Sequence, residues 1–250
     1  MKLSFITPVA YDWRYALRAI KSYYDIADEI ILGLDRRFIS WSGKPFEFDM
    51  DAFTREIAWL DKGHKIRLVR DNFYSPYDFP LENDTAERNV LASFATGDWL
   101  VSIDSDEILL NPFAFAEWLE YPKPENVQVS ARLMTVFKTF GDVALMIAPP
   151  YEAAFVATRA REFEKARVTK EPTHVQSVAS ILHYGWGRTR DEVKQKLENW
   201  GHSQDFDTKG FLSFWDSVTL ENYKDFKNFH PLRPELWSAL EARKNIDAGT

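Results

Sequence analysis

Trp99-Leu100-Val101-Ser102-Ile103 runs straight into Asp104-Ser105-Asp106-Glu107. A short apolar run ending in polar residues reads as a buried β-strand. Positions i and i+2 of an extended segment point to the same side, so Asp104 and Asp106 can converge on one object. Two close carboxylates repel each other unless a cation sits between them. An all-oxygen set of this kind suits Mg2+ or Mn2+, which then bridges to the phosphates of a nucleotide. The competing reading makes these acids turn and cap residues before the helix that opens at Asn111-Pro112. Asn111 is itself a capping residue, so the acids are not needed for that purpose. Asp49-Met50-Asp51 has the same spacing but follows no apolar strand, and it reads as a helix cap.

Upstream, the same grammar repeats. Leu3 to Ile6 is an apolar run stopped by Thr7-Pro8. Asp12 stands at an N-cap, and Trp13, Leu17, Ile20 and Tyr24 follow as one helical stripe. Glu29 to Leu34 is a second strand run, ended by Asp35. Asp51 can cap a helix carrying Phe53, Ile57 and Leu60, and Ile66 to Val69 is a third strand run. Thr85 opens a further helix with Val90, Leu91 and Phe94 on its apolar face, and Gly97 suits its C′ position. This alternation predicts an α/β fold, a mostly parallel sheet with right-handed crossovers and helices on both faces. Ligands of such sheets bind beyond the carboxyl ends of the strands. Thr7, Pro8, Asp35, Asp71, Asn72 and Asp104 onward are therefore the positions of interest.

The second half is less regular. A short helix runs from Pro112 to about Glu120, and strands span Val127–Phe137 and Val143–Ile147 around a turn at Gly141-Asp142. Residues 149–173 read as a long loop, Ser177–Tyr184 as a strand, and Asp191–Trp200 as a helix. From about 205 the chain is aromatic-rich and reads as a C-terminal helical extension. No internal repeat or low-complexity linker interrupts it.

The 250 residues include no cysteine, which excludes a disulfide scaffold, thiolate metal ligation and cysteine catalysis. A net charge of −7 argues against nucleic acid as a partner, because phosphate neutralisation needs an excess of lysine and arginine. The first residues are too short and too polar for a signal peptide. No stretch approaches the roughly 18 consecutive apolar residues of a membrane span. The expectation is a soluble, cytoplasmic protein, with peripheral membrane contact left open.

The stretch from Ala86 to Leu110 resembles the signature of family 2 glycosyltransferases of GT-A fold. Arg88-Asn89 on a helix, Gly97-Asp98-Trp99, an apolar strand and Asp104-Ser105-Asp106 fall in the family's order. The opening Ile6-Thr7-Pro8 and the strand ending at Asp35 are similar to its first two strands, so the resemblance covers residues 1–111. It implies a Rossmann-like GT-A domain over 1–204, with a nucleotide-sugar half (1–111) and an acceptor half (112–204). A C-terminal helical extension over 205–250 would pack on it.

The implied activity is metal-dependent, inverting transfer of a sugar from a nucleotide-diphosphate-sugar, a UDP-sugar first, to a glycan, lipid or protein hydroxyl. Thr7, Pro8, Asp35, Arg88 and Asp104 would bind the donor. Asp104, Asp106 and His183 would hold Mn2+ or Mg2+. The departure lies after Asp35, where Arg36-Arg37-Phe38-Ile39-Ser40-Trp41-Ser42-Gly43 stands in place of the family's x-Gly-Ser-Thr and leaves base and donor open. Ile181–Trp186 resembles the late histidine segment, continued by Gly201-His202-Ser203, while His64, His174, His202 and His230 carry weaker claims. Tyr184 and Trp186 would stack on a sugar face.

An inverting step also needs a carboxylate base. Glu152, Glu162, Glu164 and Glu171 are candidates, and Glu171 is chosen for its nearness to His174. The charged stretch Arg159–Glu171 reads either as a solvated loop or as a flap closing over the diphosphate. Two other classes stay in view. A nucleotidyltransferase usually carries a glycine-rich loop after strand one, and Thr7–Tyr11 has no glycine. A non-catalytic nucleotide- or carbohydrate-binding subunit with a degenerate site would not need Asp104-Ser105-Asp106.

Overall fold

The computed structural model describes residues 1–201 and 205–245. They group into two units, Met1–Arg132 with Ala153–Ile181, and Leu133–Glu152 with the described residues from Leu182 onward.

In the first unit β1 (Leu3–Pro8), β2 (Glu29–Asp35), β3 (Ile66–Asp71) and β4 (Trp99–Ser102) form the parallel ladder that the apolar runs predict. Their order is β4-β1-β2-β3, so the strand order reverses between β1 and β4, the kind of crevice where open α/β sheets take ligands. β4 also pairs antiparallel with β8 (Glu152–Thr158), which neighbours β6 (Val127–Phe140). The expected long loop over 149–173 is thus broken by a strand. β5 (Glu107–Leu109) pairs with β9 (Thr173–His183).

Alternation along β1 places helices on both faces. Phe5 stacks on Tyr23 of α1 (Trp13–Tyr23), with ring centroids 4.3 Å apart. Ile6, one residue on, joins Ile31, Val69, Leu91, Ala92 and Leu100 in the core beneath α3 (Pro80–Ser93). α2 (Met50–Leu60) packs on α1 and is capped by Asp49, whose carboxylate accepts from Ala52 N at 2.9 Å.

Three local expectations need correction. α3 starts at Pro80, not Thr85, because proline suits the first helical position and Glu82 reaches back to Phe79 N at 2.7 Å. Thr85 sits inside the helix and donates to Leu81 O at 2.6 Å. Asn111 precedes α4 (Pro112–Glu120) but makes no side-chain cap. Its amide instead bonds β9, donating to Val178 O at 2.9 Å and accepting from Ser180 N at 3.0 Å. Gly97 does not cap α3. It lets the chain pass close to β1, where a Cβ would fall 2.6 Å from Ser4 Oγ and 2.8 Å from Lys2 O.

The second unit takes its strands from the far part of β6, from β7 (Val143–Ile147) and from β10 (Leu240–Lys244), all antiparallel. Gly141, at φ +55°, makes the β6–β7 turn. α5 (Arg190–Asn199) and α6 (Thr208–Ser217) cover a core containing Phe137, Leu145, Trp186, Leu197, Phe211, Trp215 and Trp237. Trp215 Nε1 donates to the carbonyls of Phe137 at 2.8 Å and Trp186 at 3.2 Å. The helical expectation for the C-terminal segment holds for α6, whereas residues 240–244 form a strand on β7.

Gly97→Ala should lower the unfolding free energy by about 1–3 kcal/mol, since the added methyl meets backbone as well as a side chain. Urea denaturation checks this, and an unchanged midpoint would refute the close approach.

Candidate functional site

The parallel ladder extends one bond beyond β4, through Ile103 N to Ile6 O at 3.1 Å, and Asp104 follows immediately. Its carboxylate is held by two guanidiniums. Arg88 Nη2, from α3, donates to Asp104 Oδ1 at 2.7 Å. The rest of Arg88 is also occupied: Nε donates to Asp84 Oδ1 at 2.6 Å and Nη1 to Ser102 Oγ at 2.7 Å. Asp84 and Arg88 lie four residues apart, so one helical turn aligns them. Arg88 is only 2% exposed.

The second guanidinium belongs to Arg167. It forks onto Glu107, Nη1 to Oε2 at 2.7 Å and Nη2 to Oε1 at 2.9 Å, and its Nη2 lies 3.6 Å from Asp104 Oδ2. Glu107 Oε2 also accepts from Asp104 N at 3.0 Å. The result is an alternating chain, Asp84–Arg88–Asp104–Arg167–Glu107. Burial alone would raise the Asp104 carboxyl, but Arg167 and Arg88 overcome it and hold it down to about 2. At Asp84 burial outweighs Arg88, and its pKa is raised. Burial works against both guanidiniums too, yet the surrounding carboxylates keep their pKa values above the usual arginine range.

Arg167 reaches this position because its segment is a strap. Phe163 is buried in the core beneath α3. Asn89 donates to Phe163 O at 3.0 Å and accepts from Phe163 N at 2.7 Å, while Ala166 N donates to Thr85 Oγ1 at 2.8 Å. Arg161 donates to Gly97 O, and Gln128 to Arg167 O. The flap reading is therefore corrected, since a segment with a buried aromatic and these anchors is part of the wall. The sequence did contain the signal: Phe163 interrupts the charges.

Glu87, which sequence reasoning passed over, lies next to Arg88 and is 4% exposed. Its Oε2 accepts from Trp41 Nε1 at 2.7 Å, and its buried Oε1 has no hydrogen-bond partner among the described residues. Burial pushes this carboxyl up to about 8, against the lowering effect of the Trp41 bond.

The other expected residues divide sharply. Asp106 is buried beside Glu107. Asp35 closes β2 as expected, but its carboxylate clamps two loops. Oδ1 accepts from Arg37 N at 2.8 Å and Ile39 N at 3.3 Å, and Oδ2 from Phe73 N at 2.8 Å and Tyr74 N at 3.2 Å. Thr7 is fully buried and its hydroxyl pairs with Tyr23 OH of α1 at 2.8 Å, and Pro8 is buried at the end of β1.

The carboxylate of Glu171 takes no part in the charged chain. Its N–H donates to Thr169 Oγ1 at 3.3 Å. Glu152 belongs to the second unit and accepts from Trp237 Nε1 at 2.9 Å. His183 lies in the same unit, its Nδ1 3.5 Å from Thr135 Oγ1. Tyr184 and Trp186 are 3% exposed there, which removes them as sugar-stacking surfaces. His174 packs edge-on against Phe155, His230 accepts from the N–H groups of Leu232 and Arg233, and His202 and Ser203 lie outside the described residues.

Among the described residues, no cluster of three or more histidines, cysteines and carboxylates forms a ready metal cage. Magnesium-like ions need less, one or two carboxylates with the shell completed by water and substrate phosphates. Asp104 offers one such carboxylate, and Asp106 follows two residues on. Asp104 is ionised and one-third exposed, and its Oδ2 lies beyond hydrogen-bond distance of Arg167.

No family model matches the chain, and no curated protein matches its sequence. Among solved structures, the mannosyltransferase PcManGT from Pyrobaculum calidifontis, in complex with GDP-Man and Mn2+, aligns at TM-score 0.49 and 9% identity. That alignment covers 79% of this chain and 60% of that one. S. aureus TarS aligns at TM-score 0.34 and 17% identity, over 55% of this chain and 22% of that one. A TarS structure of residues 1–349 aligns at 0.33 and 17%, over 55% and 36%. The chain thus spans less than two thirds of each.

The raised Glu87 pKa makes a signed prediction. Between the ordinary value of 4.5 and about 8 the folded state keeps a proton that the unfolded state releases. The Glu87 contribution is fully present below 4.5 and lost as pH rises through about 8. Glu87→Gln should remove this decline, gaining on the order of a few kcal/mol over wild type at pH 8 relative to pH 5. Urea melts of both proteins across pH 5–9 test it. Parallel curves would show that Glu87 titrates normally.

Proposed function

We propose that this chain is a glycosyltransferase that moves a sugar from a nucleotide-diphosphate-sugar donor, a UDP-sugar first, to an acceptor hydroxyl of a glycan, lipid or protein. The supporting observation is the fixed, ionised Asp104 at the end of β4, with Asp106 two residues on. Arg88 locks the Asp104 carboxylate in one orientation, so no reorganisation is needed when the donor arrives. Asp104, through Oδ2, and Asp106 would hold Mn2+ or Mg2+. Bound there, the metal would supply charge neutralisation for the departing nucleoside diphosphate. Position supports the reading as well, because these residues stand at the reversal of strand order between β1 and β4.

A nucleotidyltransferase is disfavoured by the β1–α1 connection. Val9 to Asp12 contains no glycine, and no phosphate-cradling loop precedes α1. A binding subunit with a degenerate site would have no use for a buried arginine and a half-buried one orienting a single partly exposed carboxylate.

The test is a thermal-shift titration with UDP, GDP, CMP and dTDP, each with and without Mn2+. A ligand bound only by the folded state raises Tm by mass action. Wild type should show a shift that needs both one nucleotide and the metal, and Asp106→Asn should abolish the metal-dependent part. An equal shift in Asp106→Asn, or none in wild type with any pair, would overturn the reading.

A further inference from the structure

The loop after β2 replaces the family-like tripeptide with a different construction, and it is built around Trp41. Ser40 to Gly43 is a closed turn, with Gly43 N donating to Ser40 O at 2.8 Å and Lys44 N to Ser40 Oγ at 3.2 Å. Gly43 has φ +79°, and a Cβ there would fall 2.6 Å from Tyr74 OH, so the turn is fixed against the next loop. The indole is then pinned. Its Nε1 donates to Glu87 at 2.7 Å, the backbone carbonyl of Trp41 accepts from Asn83 Nδ2 at 3.1 Å, and the Arg88 guanidinium lies 5.9 Å from the ring centroid.

This arrangement costs more than packing a tryptophan requires. Glu87 is buried with one oxygen unpartnered, a penalty of the size proteins accept where a side chain must be held in one pose. Gly33 of β2 leaves the space, since a Cβ there would fall 2.3 Å from Glu87 Oε1. The ring it orients is only half-buried and stands at the carboxyl end of β2. In the order β4-β1-β2 that end is two strand spacings from the end of β4, on the order of 10 Å from Asp104. Arg88 links the two places, its guanidinium 5.9 Å from the Trp41 ring centroid and bonded to Asp104 at 2.7 Å.

We propose that Trp41 is the base platform of the donor site: its pinned indole takes the nucleobase of a nucleoside diphosphate whose phosphates lie at Asp104 and Asp106. The proposal rests on the donor-site reading and adds the residue on which the base stacks. Stacking accepts any base through its π-face, so Trp41 gives affinity for a nucleoside over bare diphosphate.

Calorimetric titrations with UDP, GDP, CDP, dTDP and inorganic pyrophosphate, all with Mn2+, separate the possibilities. Trp41→Leu should weaken the best nucleoside diphosphate about tenfold or more while changing pyrophosphate no more than about twofold. Trp41→Phe, which keeps a ring and risks the fold less, should stay within about threefold of wild type for both. Equal losses on pyrophosphate and nucleotide in Trp41→Leu would mean that Trp41 merely supports Arg88. No loss on nucleotide would equally overturn the proposal. If wild type binds none of the nucleotides, the donor-site reading itself fails, whatever the variants do.

Discussion

A guanidinium that is 2% exposed has to be paired, and Arg88 is the constraint around which the first unit is arranged. Its three nitrogen groups each have an oxygen partner, on Asp84, Ser102 and Asp104, drawn from one helix and one strand end. Removing either carboxylate partner would leave one nitrogen of a buried guanidinium unsatisfied, so α3 and the end of β4 are held in register by the same side chain. The same arrangement determines chemistry. The Asp104 carboxylate is partly exposed, held low in pKa by burial-defying cations and oriented by a residue that cannot itself move.

The strap carrying Arg167 extends this logic. A stretch of mixed charge would ordinarily stay solvated, and it does not because Phe163 buries itself under α3 and Asn89 holds both backbone groups of that residue. Once anchored, the strap delivers a second guanidinium to Glu107 and Asp104. The chain of three carboxylates and two guanidiniums is then braced from both sides of the strand end, with Asp106 next to Glu107 in sequence.

Much of this was legible from residues 1–111. Apolar runs ending in Pro8, Asp35 and Asp104 marked the parallel strands, because buried strands read as unbroken hydrophobic runs whatever their tertiary partners. Arg88 and Asp104 were both picked out, although their direct bond is a tertiary fact. Roles that depend on where a carboxylate or hydroxyl points were not legible. Asp35 ends its strand as expected yet binds four backbone N–H groups, and Thr7 turns into the core. Glu87 was invisible because nothing in its neighbours shows that Trp41, far away in sequence, supplies its partner. In the second half the aromatic content concealed the difference between helix and strand, and Tyr184 and Trp186 proved to be buried residues of the second unit.

In the function proposed above, the carboxylates at the end of β4 serve a sugar-nucleotide reaction. The most direct measurement is release of free nucleoside diphosphate from a panel of UDP- and GDP-sugars at catalytic enzyme concentration, with Mn2+ present and then chelated. Many turnovers are expected on at least one donor, stopped by chelation and restored by added Mn2+. Folded protein that binds a nucleotide with Mn2+ yet releases no product from any donor, with or without added glycan acceptors, would contradict it.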